Sequence, residues 1–325
     1  MMTKRDPWVN LLRTTVAAFA AGTGGANAVT VLPFTAALGL ADAFARRLAR
    51  NTQLVLLDEA NLAKVADPAA GSGALEDLTQ KLCCAAWQLF QEIETLGGIA
   101  TALEGGALQQ KIGEVRAKRE RALATRRDVL TGTSEFPDLA EVPVSVLDVA
   151  PAEAASAGIR KLRFEPLPSL RLSEPYERLR DRSDRLLQQT GSRPKVFLAN
   201  LGPLAAFTAR ARWAKNLFAA GGIEAVTNDG FAAQATGATD LDAMVRAFTA
   251  SDAKLACICA SDEGYAKEGG AAVKALAKAG AKSLWIARRP DATQSESQPG
   301  LVGFLFQGCN VLTTLESAYR QISEP

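Results

Sequence analysis

Histidine is absent from all 325 residues of the chain. That absence removes Ser/His and Cys/His nucleophile couples, imidazole metal ligands and the one side chain that titrates unperturbed near neutral pH. Any acid or base must then be a carboxylate, lysine, tyrosine or cysteine with a shifted pKa. A charge imbalance is missing too. Lys and Arg total 37 against 35 for Asp and Glu, so there is no broad basic field to hold nucleic acid or an anionic membrane, and neither partner is expected. No apolar run approaches about 18 residues, the span of a bilayer. The segment 1–14 is charged and interrupted by Asp6 and Pro7, unlike a signal peptide, so a soluble, untargeted chain is expected. Cysteine is scarce and odd in number: Cys83 beside Cys84, Cys257 alternating with Cys259, and Cys309 alone. Neighbouring and next-but-one cysteines point different ways and rarely bridge, which fits a reducing, cytoplasmic compartment.

What is present is length enough for two domains. The proline-broken text FEPLPSL and the loose stretch 142–157 before it mark a linkage at 142–175, between an N-terminal region, residues 1–141, and a C-terminal region, residues 176–325. The C-terminal region alternates. Helices are predicted at 176–189, 204–220, 240–250, 263–279 and 311–322, and strands at 195–200, 223–227, 254–259, 283–287 and 302–306. Such alternation implies an α/β fold with a doubly wound parallel sheet, and five strands suit the flavodoxin-like order 2-1-3-4-5. The helix after the first strand carries Leu204, Phe207, Ala211, Ala214 and Phe218 on one stripe. The N-terminal region reads as helices near 9–20, 42–66, 75–96 and 109–125, with one strand near 28–34. Apolar faces such as Leu78, Leu82, Ala85, Ala86, Leu89 and Ile93 look made to pack on a sheet for which the chain supplies few strands.

Long collinear segments carry a family resemblance. The text ARNTQLVLLDEANLAKVADPAAGS at 49–72 and AAWQLFQEIETLGGIATALEGG at 85–106 resembles the barrel domain of the methylmalonyl-CoA mutases. The text KVFLANLGPLAAFTARARWAKNLFAAGGIEAVTNDGF at 195–231, with AKLACICASDEGYA at 253–266, resembles their C-terminal cobalamin-type domain. The wording is most similar to the small, β-type subunit of heterodimeric bacterial enzymes. The resemblance implies a partial TIM barrel, its second half, over 1–141, followed by a flavodoxin-like domain over 176–325. It also implies a large catalytic subunit as partner, which isomerises methylmalonyl-CoA and succinyl-CoA with adenosylcobalamin. A whole barrel takes about 250 residues, so the chain looks truncated at its N-terminus. An open half-barrel would expose strand edges and helix faces to a partner.

Base-off cobalamin binding in the family uses DxHxxG after the first strand, with the histidine on cobalt. Here the Asp position falls on Leu204, the His on Ala206 and the Gly on Ala209, while Asn200 replaces a supporting lysine and Arg288 and Arg289 replace a late Gly-Gly. In the barrel-like region, positions that are polar in catalytic subunits fall on Asn27, Thr30, Leu32 and Ala36. The resemblance therefore implies no catalytic, metal or cofactor residue in this chain, the cofactor belonging to the partner. Two alternatives stand beside this expectation: a mutase that binds cobalamin without a histidine ligand, and an unstable gene fragment.

Other motifs have plainer readings. Gly22, Gly24 and Gly25 lack the Lys-Ser/Thr of a phosphate loop and read as a helix-to-strand turn, and Gly202 lacks the further glycines a dinucleotide needs. Cys257 and Cys259 read as core thiols, one facing each layer of the sheet. Asp229 and Gly230 read as a turn, and Asp58 and Glu59 as a solvated helix face. The basic cluster Arg116, Lys118, Arg119, Arg121, Arg126 and Arg127 also reads as solvent-facing. Trp213 and Phe218 read as core, with filling of a vacated cofactor space as the rival role.

Overall fold

The computed structural model describes residues 1–149, 164–232, 238–290 and 300–323. The chain divides into two compact units, one of Met1–Arg119 with Val142–Arg171, the other of Glu120–Glu141 with Leu172–Pro325.

The first unit is helical: α1 (Val9–Thr23), α2 (Ala43–Leu54), α3 (Gly73–Thr95), α4 (Ile99–Glu104) and the start of α5 (Ala107–Ala124). Helix α2 begins where Asp42 accepts a bond from the Ala45 N–H at 2.8 Å, the capping role its short carboxylate suits. The long helix expected at 42–66 does not run through. It passes into a π turn at Val55–Glu59 and a 3-10 turn at Leu62–Lys64, interrupted by Asn61 in the left-handed region at φ 55°. The strand expected at 28–34 does not form either. Pro33 cannot donate to a ladder, and the Phe34 carbonyl is taken by Asn10 Nδ2 at 2.8 Å. Buried Asn10 also donates to the Thr3 carbonyl at 2.9 Å and accepts from Arg13 at 2.8 Å. Around this network the core is small: Phe34, Ala41 and Ala45, flanked by Leu11, Leu48 and Val144. Among the described residues of this unit, the apolar faces expected to cover a sheet cover none, and no residue of α3 is buried.

The second unit holds the sheet. Strands β1 (Lys195–Asn200), β2 (Glu224–Val226), β3 (Leu255–Cys259), β4 (Ser283–Ile286) and β5 (Leu301–Phe304) pair in parallel in the order β2-β1-β3-β4-β5. This is the doubly wound α/β order that the alternation predicted. Helices α6 (Glu174–Thr190), α7 (Leu204–Ala220) and α11 (Val311–Ser323) join Val196, Leu198, Leu255 and Trp285 in one apolar layer. On the other face, α8 (Leu241–Ala250) and α10 (Gly270–Lys278) pack on Phe197, Ala199, Ile258 and Leu284. Cys257 and Cys259 both lie in the first layer with sulfurs 4.0 Å apart, because strand residues two apart share a face. The expectation of one per layer was wrong, although both are buried.

Residues 120–141 strap across this unit. Arg180 donates to the Asp138 carbonyl at 2.5 Å, Arg193 to that of Leu139 at 3.1 Å, and the Tyr176 hydroxyl to that of Leu123 at 3.2 Å. Arg126, expected to face solvent, is instead only 8% exposed. It donates to the Ser134 carbonyl and to Asn216 on α7. Arg116, Lys118, Arg119, Arg121 and Arg127 are not buried, as expected.

This packing can be tested at a glycine and at two tyrosines. Gly222, at φ +84°, would place a Cβ 2.5 Å from Ser183 Cβ, so Gly222→Ala should cost about 2 kcal/mol or more in denaturant unfolding. Burial pushes the Tyr176 and Tyr319 hydroxyls from 10 up to about 12. The folded pKa lies above the unfolded one, so the neutral hydroxyls stabilise the fold fully below pH 10 and lose that contribution as pH rises through about 12. About 2–3 kcal/mol is at stake per group. Tyrosinate absorbance should therefore appear together with loss of helical signal, whereas titration at about pH 10 with the fold intact would contradict the burial argument.

Candidate functional site

Open sheets of this order bind ligands outside the carboxyl ends of the strands, where neighbouring connections leave in opposite directions. In the second unit that point lies between β1 and β3, because α7 packs on one face and α8 on the other. The loop after β1 turns at Gly202, φ +76°, and α7 begins behind Pro203 without a side-chain cap. Some of its backbone groups are already bonded. The Leu201 N–H donates to the Cys259 carbonyl at 2.9 Å and the Ala206 N–H to that of Pro203 at 2.8 Å. The Gly202 N–H donates to Thr239 Oγ1 at 3.1 Å, and Thr239 in turn donates to the Glu268 carboxylate.

The β3 side of the crevice is equally engaged. Ser261 caps the short helical turn α9 (Asp262–Gly264) by accepting from the Gly264 N–H at 3.1 Å. A π turn, Tyr265–Gly269, follows and carries both Tyr265 and Glu268. The buried Tyr265 hydroxyl lies 3.1 Å from the Ile258 carbonyl and 3.0 Å from that of Ala287, bridging the ends of β3 and β4. Arg210, on α7, donates to the Ala260 carbonyl at 2.5 Å and to Asp262 at 2.7 Å. Its guanidinium carbon stands 5.0 Å from the centre of the Tyr265 ring, and that of Arg288 stands 5.4 Å from the same ring.

The positions singled out in the sequence surround this rim. Asn200 is buried at the end of β1 and donates to the Asn228 carbonyl and side chain at 3.1 Å each, while its own Oδ1 has no partner. Leu204 is 60% exposed, Ala206 partly buried and Ala209 exposed on the first turns of α7. Arg288 leans on Tyr265, whereas Arg289 is exposed with its guanidinium 5.8 Å from the Phe306 ring. Phe207 packs against the turn at Gly230, where a Cβ would stand 2.7 Å from its ring. Phe218 stacks edge-on against Trp285 in the core and Trp213 packs on that layer partly buried. Gly24 and Gly25 close the end of α1 with their N–H groups bonded to the Ala20 and Gly22 carbonyls, and no strand follows them directly. Asp58 and Glu59 are exposed. Arg210, Tyr265, Thr239 and Glu268 were not singled out, since no local spacing announces side chains that meet only when α7, β3 and the π turn converge.

Two groups near the rim, Tyr265 and Cys257, are shifted away from nucleophile or base chemistry at neutral pH. Burial raises the Tyr265 hydroxyl, and the hydrogen bond with Cys259, then burial, raises Cys257 well above an ordinary thiol. Both therefore stay protonated. Among the described residues, no cluster of three or more carboxylates and thiols could hold a metal ion, and no helix is long and apolar enough to cross a membrane.

Comparison with known proteins gives a consistent result. The family model described as methylmalonyl-CoA mutase matches residues 1–171. The methylmalonyl-CoA mutase small subunit of Streptomyces virginiae is 48% identical over 98% of this chain and 48% of its own length. That of Propionibacterium freudenreichii subsp. shermanii is 38% identical over 97% of this chain and 47% of its own. A methylmalonyl-CoA mutase of Cereibacter sphaeroides is 35% identical over 49% of this chain and 23% of its own. The chain thus spans about half the length of the curated small subunits it matches.

The rim geometry makes one prediction. Tyr265→Phe keeps the ring but removes the donor shared by two strand-end carbonyls, and should cost roughly 1–3 kcal/mol in chemical denaturation. An unchanged midpoint would mean that the hydroxyl holds neither strand end.

Proposed function

The chain belongs to the methylmalonyl-CoA mutase family, and from that premise we propose that it acts as a non-catalytic small subunit that binds and stabilises a large catalytic subunit. In this reading residues 1–141 correspond to a partial mutase barrel and 176–325 to a flavodoxin-like, cobalamin-type domain. The isomerisation of methylmalonyl-CoA and succinyl-CoA, and the adenosylcobalamin it requires, belong to the partner in a heterodimer. The free thiols at all five cysteines suit a reducing cytoplasm.

The observation that carries the reading is the contrast between an intact sheet and a rim whose motif positions carry Leu204, Ala206 and Ala209. Both faces of the sheet are packed, so the fold has been kept. The residues at the rim do not fit a cobalamin. Ala206 offers a methyl where ligation would need an imidazole. Arg288 and Arg289 bring two long cationic side chains to the position of the family's small residues. A subunit with this rim contributes surface, folding and assembly rather than a chemical step.

Co-expression with the large subunit tests the proposal. The two chains should co-elute on gel filtration, with mutase activity present only when both are there. A large subunit fully active and stable by itself, or a failure of the two to associate, would overturn it.

A further inference from the structure

The crevice that the strand order creates between β1 and β3 is where sheets of this order take their ligands, and it presents backbone donors and acceptors at its rim. In this chain each such group named above already has a partner from the protein, apart from the Asn200 Oδ1. The Ala260 carbonyl accepts from Arg210, that of Ala287 from the Tyr265 hydroxyl, that of Ile258 from the same hydroxyl and the Ala287 N–H, and the Gly202 N–H donates to Thr239 backed by Glu268. The Tyr265 ring lies among the guanidinium groups of Arg210 and Arg288 at cation–π distance.

We propose that this crevice is latched shut from within, with Arg210 as the latch: the chain's own side chains occupy the place of a small-molecule ligand, so that the second unit closes without one. Arg210 holds this role because its side chain joins α7 to both the end of β3 and the turn after it. Its bond to Asp262 is a weak contributor, since Asp262 is 79% exposed and such pairs are worth little. The Ala260 carbonyl and the Tyr265 ring are buried, and there the Nη1 donor and the stacking cation act on groups that water does not reach. The π turn supplies the rest. It carries Tyr265 to the strand ends and Glu268 to Thr239, which ties the loop after β1 to the same closure.

The inference rests on the reading of this rim as one without chemistry, but it concerns this chain alone. Its test is therefore independent of whether a large subunit associates. Amide exchange and thermal melting of the full chain, with and without hydroxocobalamin in large molar excess, are the measurements. The wild type should melt at the same temperature with the corrinoid as without. In Arg210→Ala, exchange at residues 201–207 and 260–268 should speed by roughly tenfold or more, equivalent to about 1.4 kcal/mol of local stability, while the strand cores stay protected. Arg210→Lys keeps the charge and loses the fork, and should fall between the two even if the alanine variant fails to fold. Unchanged exchange in both variants, or a corrinoid-dependent rise in melting temperature of the wild type, would overturn the proposal. A large subunit active alone would overturn the supporting role and leave the latch standing.

Discussion

Strands β1 and β3 run side by side from Val196 opposite Leu255 to Asn200 opposite Cys259, and all of the paired residues are buried. A parallel ladder covered on both faces is the constraint from which the second unit follows. Its strands must be apolar on both sides, so a helix is needed on each face. The right-handed crossovers then send α7 one way and α8 the other. That divergence opens a crevice at the strand ends as a matter of topology, whatever residues stand there. Sheets of this order place their ligands there, and in this chain an arginine and a tyrosine stand at its edge.

Much of this was legible in the sequence because doubly buried strands write themselves as continuous apolar runs. KVFLAN, LACIC and SLWI stand out between helical stretches, and β1 and α7 fall where the text placed them. The first unit was harder to read. The apolar residues at 28–34 resemble a strand, yet a strand exists only if a neighbour offers a ladder, and the Phe34 carbonyl goes to an asparagine side chain. The strap of residues 120–141 was invisible for a similar reason. Arg126 looks like any other residue of a basic helix end until Ser134 and Asn216 are found around it. The emptiness of the rim could be read as missing residue types, whereas its closure depends on partners far apart in the chain, Arg210 with Ala260 and Asp262.

The two units differ in how they satisfy their buried polar atoms. In the first, one side chain, Asn10, gathers the Thr3 and Phe34 carbonyls and the Arg13 guanidinium around a small apolar cluster. In the second, tyrosine hydroxyls do comparable work at Leu123, at the ends of β3 and β4, and at Leu179 and Gly221. A phenol suits this use because its ring fills the core while its single polar atom reaches a backbone carbonyl. Helix α3 is of another kind. Its Trp87 and Phe90 stack on each other at 5.2 Å, and both remain open to solvent.

The distribution of thiols has a consequence for how the molecule would meet an alkylating reagent. Cys83 and Cys84 lie open on α3, whereas Cys257 and Cys259 are sealed together on one face of the central ladder. The open pair would be modified at once, and the sealed pair only in those moments when the sheet itself comes apart. The chain thus carries an internal clock whose fast hand counts reagent and whose slow hand counts excursions from the native state.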